Sequence, residues 1–345
     1  MENIFRSDIQ GQPKVMAEAI ARYRGYKEAY EKIAALNPQR VVFAGMGSSY
    51  FCSIPACIKL NQAGRNAVVI TASELLYYQW ELLNSDVVPV LISQSGESGE
   101  IVDILKKLPE DRLVIGITND PESTLGKRAN ILLEMGVEPE LSVSTRTYLA
   151  SLVLVDVLAE VVLGNDAQKA LDDNLQAAEA LGKLLENQDA LQDQIGQFLN
   201  HPLALCYIGR GPAVGTAEAA GLFTRETAKY PALGFDSAQF RHGPFEMVDE
   251  NFGAVVFAPK GTTCALQIGL AGDIAARGGK AILVTDEDCA VDSPNVLVIR
   301  HPSVSEFHAP LVQIAVAQLL ANDLALFRGF QPWVFRAASK ITVKQ

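Results

Sequence analysis

Along most of this chain, apolar runs of strand length alternate with runs at helical spacing. "RVVFAGMGSS" leads into "YFCSIPACIKLNQAG", and "VVPVLISQSGES" leads into "EIVDILKKL". "RLVIGITND" is followed by "STLGKRA" and then "NILLEMG". Strands joined through helical crossovers run parallel, with the helices lying on the faces of the sheet. The second half repeats the theme. "LALCYIGRGPAVG" leads into "TAEAAGLFTRETAKY", "GAVVFAPKGTT" into "CALQIGLAGDIAARGG", and "KAILVTDED" resembles "LVIGITNDPES". Gly45 aligns with Gly209, Gly96 with Gly261 and Thr118 with Thr285, each at an offset of roughly 164–167 residues. A near-constant offset that long predicts a duplicated α/β domain rather than a short solenoid repeat.

The chain's 345 residues suffice for two such domains. The expected organisation is a first domain at 1–165, connecting helices at 166–194, a second domain at 195–325 and a tail at 326–345. The connector, rich in Ala, Leu, Gln and Glu, is apolar at helical spacing and reads as one or two helices. "HAPLVQIAVAQLLANDLALFRG" predicts a strongly apolar last helix ending at Gly329. Pro332, Trp333 and Phe335 then predict a tail that packs down.

Composition excludes several partners. The net charge of −11 argues against nucleic acid and anionic membranes, both of which reward clustered Lys and Arg. The start, "MENIFRSDIQ", lacks the basic and apolar regions of a signal peptide. Asp156 and Glu160 interrupt the apolar run "YLASLVLVDVLAEVVLG", which reads as a core or interface helix rather than a membrane span. The five cysteines show no metal-ligand or disulfide-framework spacing. The expectation is a soluble cytoplasmic protein with no metal and no cofactor.

"LISQSGESGE", residues 91–100, carries the first chemical signal. In an open parallel sheet, ligands sit beyond the carboxyl ends of the strands. A loop there, feeding a helix N-terminus, offers unpaired N–H groups and the positive end of a helix dipole. Ser93, Gln94, Ser95 and Ser98 add side-chain donors, and Gly96 and Gly99 let the backbone curl closely. The pattern fits an anion cradle; the simpler alternative is a polar turn with a serine cap. The chain has neither Gly-Lys-Ser/Thr nor G-x-G-x-x-G, so nucleotide binding is disfavoured.

"AGMGSSY" is a second Gly/Ser turn that could bring Ser49 to the same crevice, or simply cap a helix. In "FRHGPFEMV", His242 precedes a Gly-Pro turn and fits an acid/base group or a turn-packing histidine. Glu226 ends an Ala-rich helix, as a general base or as a solvated charge. Lys340 is a lone basic residue in "SKITVKQ".

Together these segments resemble the sugar isomerase (SIS) family, and most closely the isomerase half of glutamine–fructose-6-phosphate transaminases. The resemblance rests on "GSSY", "SQSGES", "SVSTRTYLASL", the helix ending in Glu226, "FRHGPF" with its histidine sixteen residues further on, and "SKITV", in the family's order over nearly the whole chain. It implies two tandem SIS domains, each a three-layer, Rossmann-like parallel sheet flanked by helices. It implies that Ser93, Gln94, Ser95 and Ser98 hold a sugar 6-phosphate, with Ser49 and Ser144 on the sugar. Glu226 would shuttle a proton between C1 and C2, His242 would help open the ring, and Lys340, in the tail that closes the site, would reach the carbonyl. No metal or cofactor is implied. The implied assembly is a homodimer with shared active sites, or a higher homo-oligomer.

There are departures. "MENIF" opens no glutaminase domain, which sets an expectation that glutamine is not used directly. Arg146 and the run Leu222–Glu226 differ from the transaminases, and "HGPFE" looks more like the fructosamine-6-phosphate deglycases. The expected activity is on an amino- or amine-substituted hexose 6-phosphate, by isomerisation, deamination or deglycation. The alternatives are a plain aldose–ketose isomerase and a non-catalytic sugar-phosphate sensor. Glu226, His242 and Lys340 together favour an enzyme.

Overall fold

The computed structural model describes residues 3–84, 86–140 and 143–337. They contain two five-stranded sheets. The first holds β1 (Arg40–Gly45), β2 (Asn66–Thr71), β3 (Val88–Ile92), β4 (Ile115–Thr118) and β5 (Ile131–Glu134), in the order β2-β1-β3-β4-β5. The second holds β6 (Ala204–Gly209), β7 (Ala232–Asp236), β8 (Phe252–Ala258), β9 (Lys280–Thr285) and β10 (Val296–Arg300), in the order β10-β9-β8-β6-β7. Counted from the other edge, that order repeats the first, strand for strand. Every pairing is parallel. β8 is buried along its whole length and β3 from Pro89 onward, as continuous apolar strands covered on both faces should be. The duplicated α/β architecture expected from the sequence is the one observed.

The described residues form two compact units. Residues 15–140 and 144–175 surround the first sheet; residues 3–14 and 176–335 surround the second. The expected first domain, 1–165, therefore differs at its start. Side-chain amides explain why. Asn3 donates to Asn322 at 2.8 Å, and Gln12 to Gln318 at 2.8 Å, which ties the beginning of helix Ile4–Tyr23 to helix Ala309–Phe327. The connector forms two helices, Ala167–Leu185 and Gln188–Leu199.

In helix Arg146–Val162, 15 of 17 residues are buried. The two acids that interrupt its apolar run face Lys59, whose ammonium donates to Asp156 and, at 2.5 Å, to Glu160. Asn174 donates to the other Asp156 oxygen at 2.8 Å. Burying such acids requires these partners. Helix Ala309–Phe327 buries 16 of its 19 residues. It is long and apolar enough to cross a membrane, but its burial makes it a core helix. The sequence leads one to expect surplus apolar surface on these two helices and hence a dimer interface. The structure corrects that premise, since both helices are covered within the chain.

Candidate active site

β1 and β3 are neighbours, with β2 beyond one and β4 beyond the other, so the strand order reverses between them. This is the switch point where a parallel sheet opens a crevice. The Ser-rich loop leaves the carboxyl end of β3 there and enters helix Gly99–Lys107. The Gln94 carbonyl accepts from Asn119 N at 3.0 Å and from Thr118 Oγ1 at 3.3 Å, which fixes the loop's base. Gly96 has φ +67°, and a Cβ there would overlap the Ser123 hydroxyl, so no other residue fits. Ser93 Oγ accepts from Gly96 N at 3.1 Å and lies 2.9 Å from Ser98 Oγ; Ser95 Oγ accepts from Glu97 N at 3.2 Å.

Ser98 occupies the N-cap position without making a side-chain cap. The cap alternative is therefore not how this serine is used, and the first-turn N–H groups keep no helical acceptor. The sequence gives no hint of Glu97's role. Its carboxylate accepts from Thr124 N at 2.5 Å and Thr124 Oγ1 at 2.9 Å, capping the short helix Thr124–Arg128. The one acid in the loop is thereby turned onto another element, and the cradle is left to donors.

The β1 turn lies alongside. A Cβ on Gly45 would come 2.9 Å from Ile92 O and 2.8 Å from Ser49 Cβ, so glycine allows the Ser49 turn to sit against the end of β3. Gly47 follows with φ +53°. Ser49 is buried, while Gln94, Ser95 and Ser98 are partly exposed. Ser144, half-buried, follows β5 and precedes helix Arg146–Val162. Glu140 organises this turn, another role not visible in the sequence. Its buried carboxylate accepts from Thr145 N (2.8 Å), Thr145 Oγ1 (2.7 Å), Arg146 N (2.5 Å) and Thr147 Oγ1 (2.6 Å). Ser49, Ser93, Gln94, Ser95, Ser98 and Ser144 all lie in the unit built on the first sheet.

Glu226 lies in the other unit, in the last turn of helix Ala213–Ala228. That helix approaches β7 closely because both contact points are glycine. A Cβ on Gly221 would lie 2.9 Å from Gly234 N, and one on Gly234 would lie 2.5 Å from Glu218 Cα. Burial pushes the Glu226 carboxyl up from 4.5 to about 7, against the opposing pull of Arg225 and Lys229. A carboxyl poised near neutrality can take and return a proton.

The helix end is clamped by cations that sequence reading passed over. Lys229, in the left-handed region at φ 53°, donates to Glu226 O at 2.9 Å, Thr227 O at 3.1 Å and Val334 O at 2.6 Å. Arg328 donates to Ala228 O at 3.1 Å and to Lys229 O. Pro332 is buried and Trp333 and Phe335 are half-buried, so these residues of the tail pack down, and Val334 is held by Lys229 beside the Glu226 turn. Lys340 lies outside the described residues.

His242 is exposed, at the end of helix Ser237–Arg241. Gly243 follows at φ +136° with open space where a Cβ would stand. Phe245 anchors the loop between Phe240, 5.8 Å away edge-on, and the Arg277 guanidinium at 4.8 Å. No hydrogen bond joins His242 to Glu226 among the described residues.

Residues 36–161 match the family described as SIS domain. The matched stretch spans the first sheet, from β1 through β5. Over 339 residues the chain is 30% identical to a glutamine–fructose-6-phosphate aminotransferase (isomerizing) from Pyrococcus horikoshii, covering 96% of this chain and 56% of that relative. The chain thus spans about half the length of the curated relatives it matches. Among solved structures, it is similar to the C-terminal domain of glucosamine-fructose-6-phosphate aminotransferase from Francisella tularensis. The TM-score is 0.82 at 22% identity, over 95% of this chain and 97% of that one. It is also similar to glucosamine-6-phosphate deaminase from Thermotoga maritima, with TM-score 0.77 at 19% identity over 98% of each chain. These likenesses give the two-sheet SIS fold across both halves of the chain.

Proposed function

We propose that this protein is a SIS-family enzyme that acts on an amino- or amine-substituted hexose 6-phosphate, moving a proton between C1 and C2 of the open-chain sugar. The observation that carries the reading is the Glu226 carboxyl, raised to about 7 by burial in a chain that also holds a donor-lined cradle. In this reading Ser93, Gln94, Ser95, Ser98 and the first-turn N–H groups bind the 6-phosphate, while Ser49 and Ser144 face the sugar. Glu226 takes the proton from one carbon and returns it to the next. Lys340, in the role that the family resemblance implies, meets the carbonyl and makes the adjacent C–H more acidic.

The deciding experiment is a screen of glucosamine 6-phosphate, fructosamine 6-phosphates and plain hexose 6-phosphates, read out by ammonia, amino acid and sugar isomer. Release of nitrogen supports the proposal. Turnover of plain hexose 6-phosphates alone makes the protein an aldose–ketose isomerase. Binding without turnover of any of them makes it a sensor.

The exposed His242 fits a residue that serves a partner chain's site, as the family resemblance implies. His242→Ala and Glu226→Ala proteins are then each inactive alone. Mixed and re-associated, they regain up to about a quarter of wild-type activity per site, because random pairing leaves one intact site in each mixed dimer. No recovery after verified subunit exchange assigns His242 to its own chain.

A further inference from the structure

The second sheet has its own switch-point crevice, between β6 and β8, and its details copy those of the first. Gly209 and Gly211 (φ +56°) repeat Gly45 and Gly47 (φ +53°). Thr285 Oγ1 donates to Ala258 O at 2.7 Å, as Thr118 Oγ1 donates to Gln94 O at 3.3 Å. The residue two beyond each threonine returns its N–H to that hydroxyl, Glu287 at 3.0 Å and Asp120 at 3.3 Å. The loop from β8 into helix Cys264–Ala276 is therefore the counterpart of the Ser-rich loop.

The two crevices differ in what fills them. "Ser-Val-Ser" at 303–305 repeats the sequence at 142–144, but Thr145 is replaced by Glu306. Thr145 is held by Glu140 at the foot of its own helix. Glu306 instead reaches into the crevice. One carboxylate oxygen accepts from Thr262 N at 3.3 Å. The carboxyl carbon lies 2.5 Å from where a Cβ on Gly261 would stand, and the other oxygen lies 3.9 Å from the Cβ place on Gly211. Asp286 secures the segment, accepting from Lys260 N (2.7 Å), Ser303 Oγ (2.9 Å) and Val304 N (3.3 Å). A carboxylate of the chain thus sits between the two glycine turns, at the counterpart of the place where the first crevice offers donors to an anion.

We propose that Glu306 is a built-in anion that closes the second crevice, so that each chain takes one sugar phosphate, at the Ser-rich loop. The inference rests on the reading of that loop as the phosphate cradle. The contrast with Glu97 supports it: one acid is drawn out of the first crevice, the other is driven into the second.

The test uses inorganic phosphate against sodium chloride at matched ionic strength, followed by thermal melting. Wild type melts higher in phosphate. Ser95→Ala with Ser98→Ala removes the response, and adding Glu306→Ser to that pair restores one. A folded triple variant indifferent to phosphate overturns the proposal. A double variant that still responds as wild type sinks the cradle assignment instead. Calorimetric stoichiometry then decides the plug: two phosphates on Glu306→Ser against one on wild type support it, and equal numbers overturn it. Glu306→Gln keeps size and loses charge, so it folds in any case. Its melting temperature falls by roughly 1–2 °C, because Thr262 N loses its charged acceptor. An unchanged melting temperature overturns the proposal.

Discussion

Glu226→Gln loses turnover by about two orders of magnitude or more, and it is more stable than wild type at pH 8. Both effects have one cause. Burial raises the carboxyl from 4.5 to about 7, so the folded protein resists ionising it. The unfolded chain, with a carboxyl of ordinary pKa, ionises it freely. Stability tied to this group is therefore fully present below about pH 4.5 and is lost as pH rises through about 7. Glutamine cannot ionise and does not suffer that loss. The gain at pH 8, discounted for a side chain only half-buried, is about 1–3 kcal/mol. Chemical denaturation of both proteins at pH 4 and pH 8 checks it: the gap opens only at the higher pH. In parallel, wild-type kcat/KM climbs as pH rises through about 7. A variant with equal stability at both pH values and near-normal turnover moves the base elsewhere.

Ser95→Ala combined with Ser98→Ala abolishes stabilisation by 6-phosphorylated sugars. A ligand at 100 times its Kd stabilises the native state by about 2.7 kcal/mol. For a protein of this size that is a melting shift of roughly 4 °C. Fructose 6-phosphate and glucosamine 6-phosphate produce the shift with wild type; free fructose and free glucosamine do not. The double variant keeps the Gln94 and Gly96 backbone bonds that fix the loop, so its own melting temperature changes little. Equal shifts from phosphorylated and free sugars contradict a phosphate cradle.

The fold was legible because its signals are local and repeated. Strand-length apolar runs, the Gly45/Gly209 pair and the glycine-broken Ser-rich turn each lie within a few residues of sequence. The last helix stops at Phe327, with Gly329 at φ +72° just beyond, where Gly329 was expected to end it. What escaped depends on distance along the chain. Glu97 caps a helix 27 residues on, and Lys229 holds a carbonyl 105 residues away. An ordinary Glu or Lys carries no sign of such a partner. The helices at 146–162 and 309–327 misled for a related reason. An apolar helix reads the same whether another molecule or its own chain covers it. Glu226 was identifiable by its helix-end position and the family resemblance, but its raised pKa is a property of the fold.

The central claim is that this chain moves a proton between C1 and C2 of a 6-phosphorylated open-chain sugar, with Glu226 as the carrier. Proton NMR in deuterium oxide tests it on glucosamine 6-phosphate and fructose 6-phosphate. Wild type exchanges the C2 hydrogen of the amino sugar, or a C1 hydrogen of the ketose, for deuterium. Glu226→Gln does not, although both proteins show the same phosphate-dependent melting shift. Exchange that persists at the wild-type rate in Glu226→Gln, or no exchange by a wild-type protein that binds these sugars, would contradict the account.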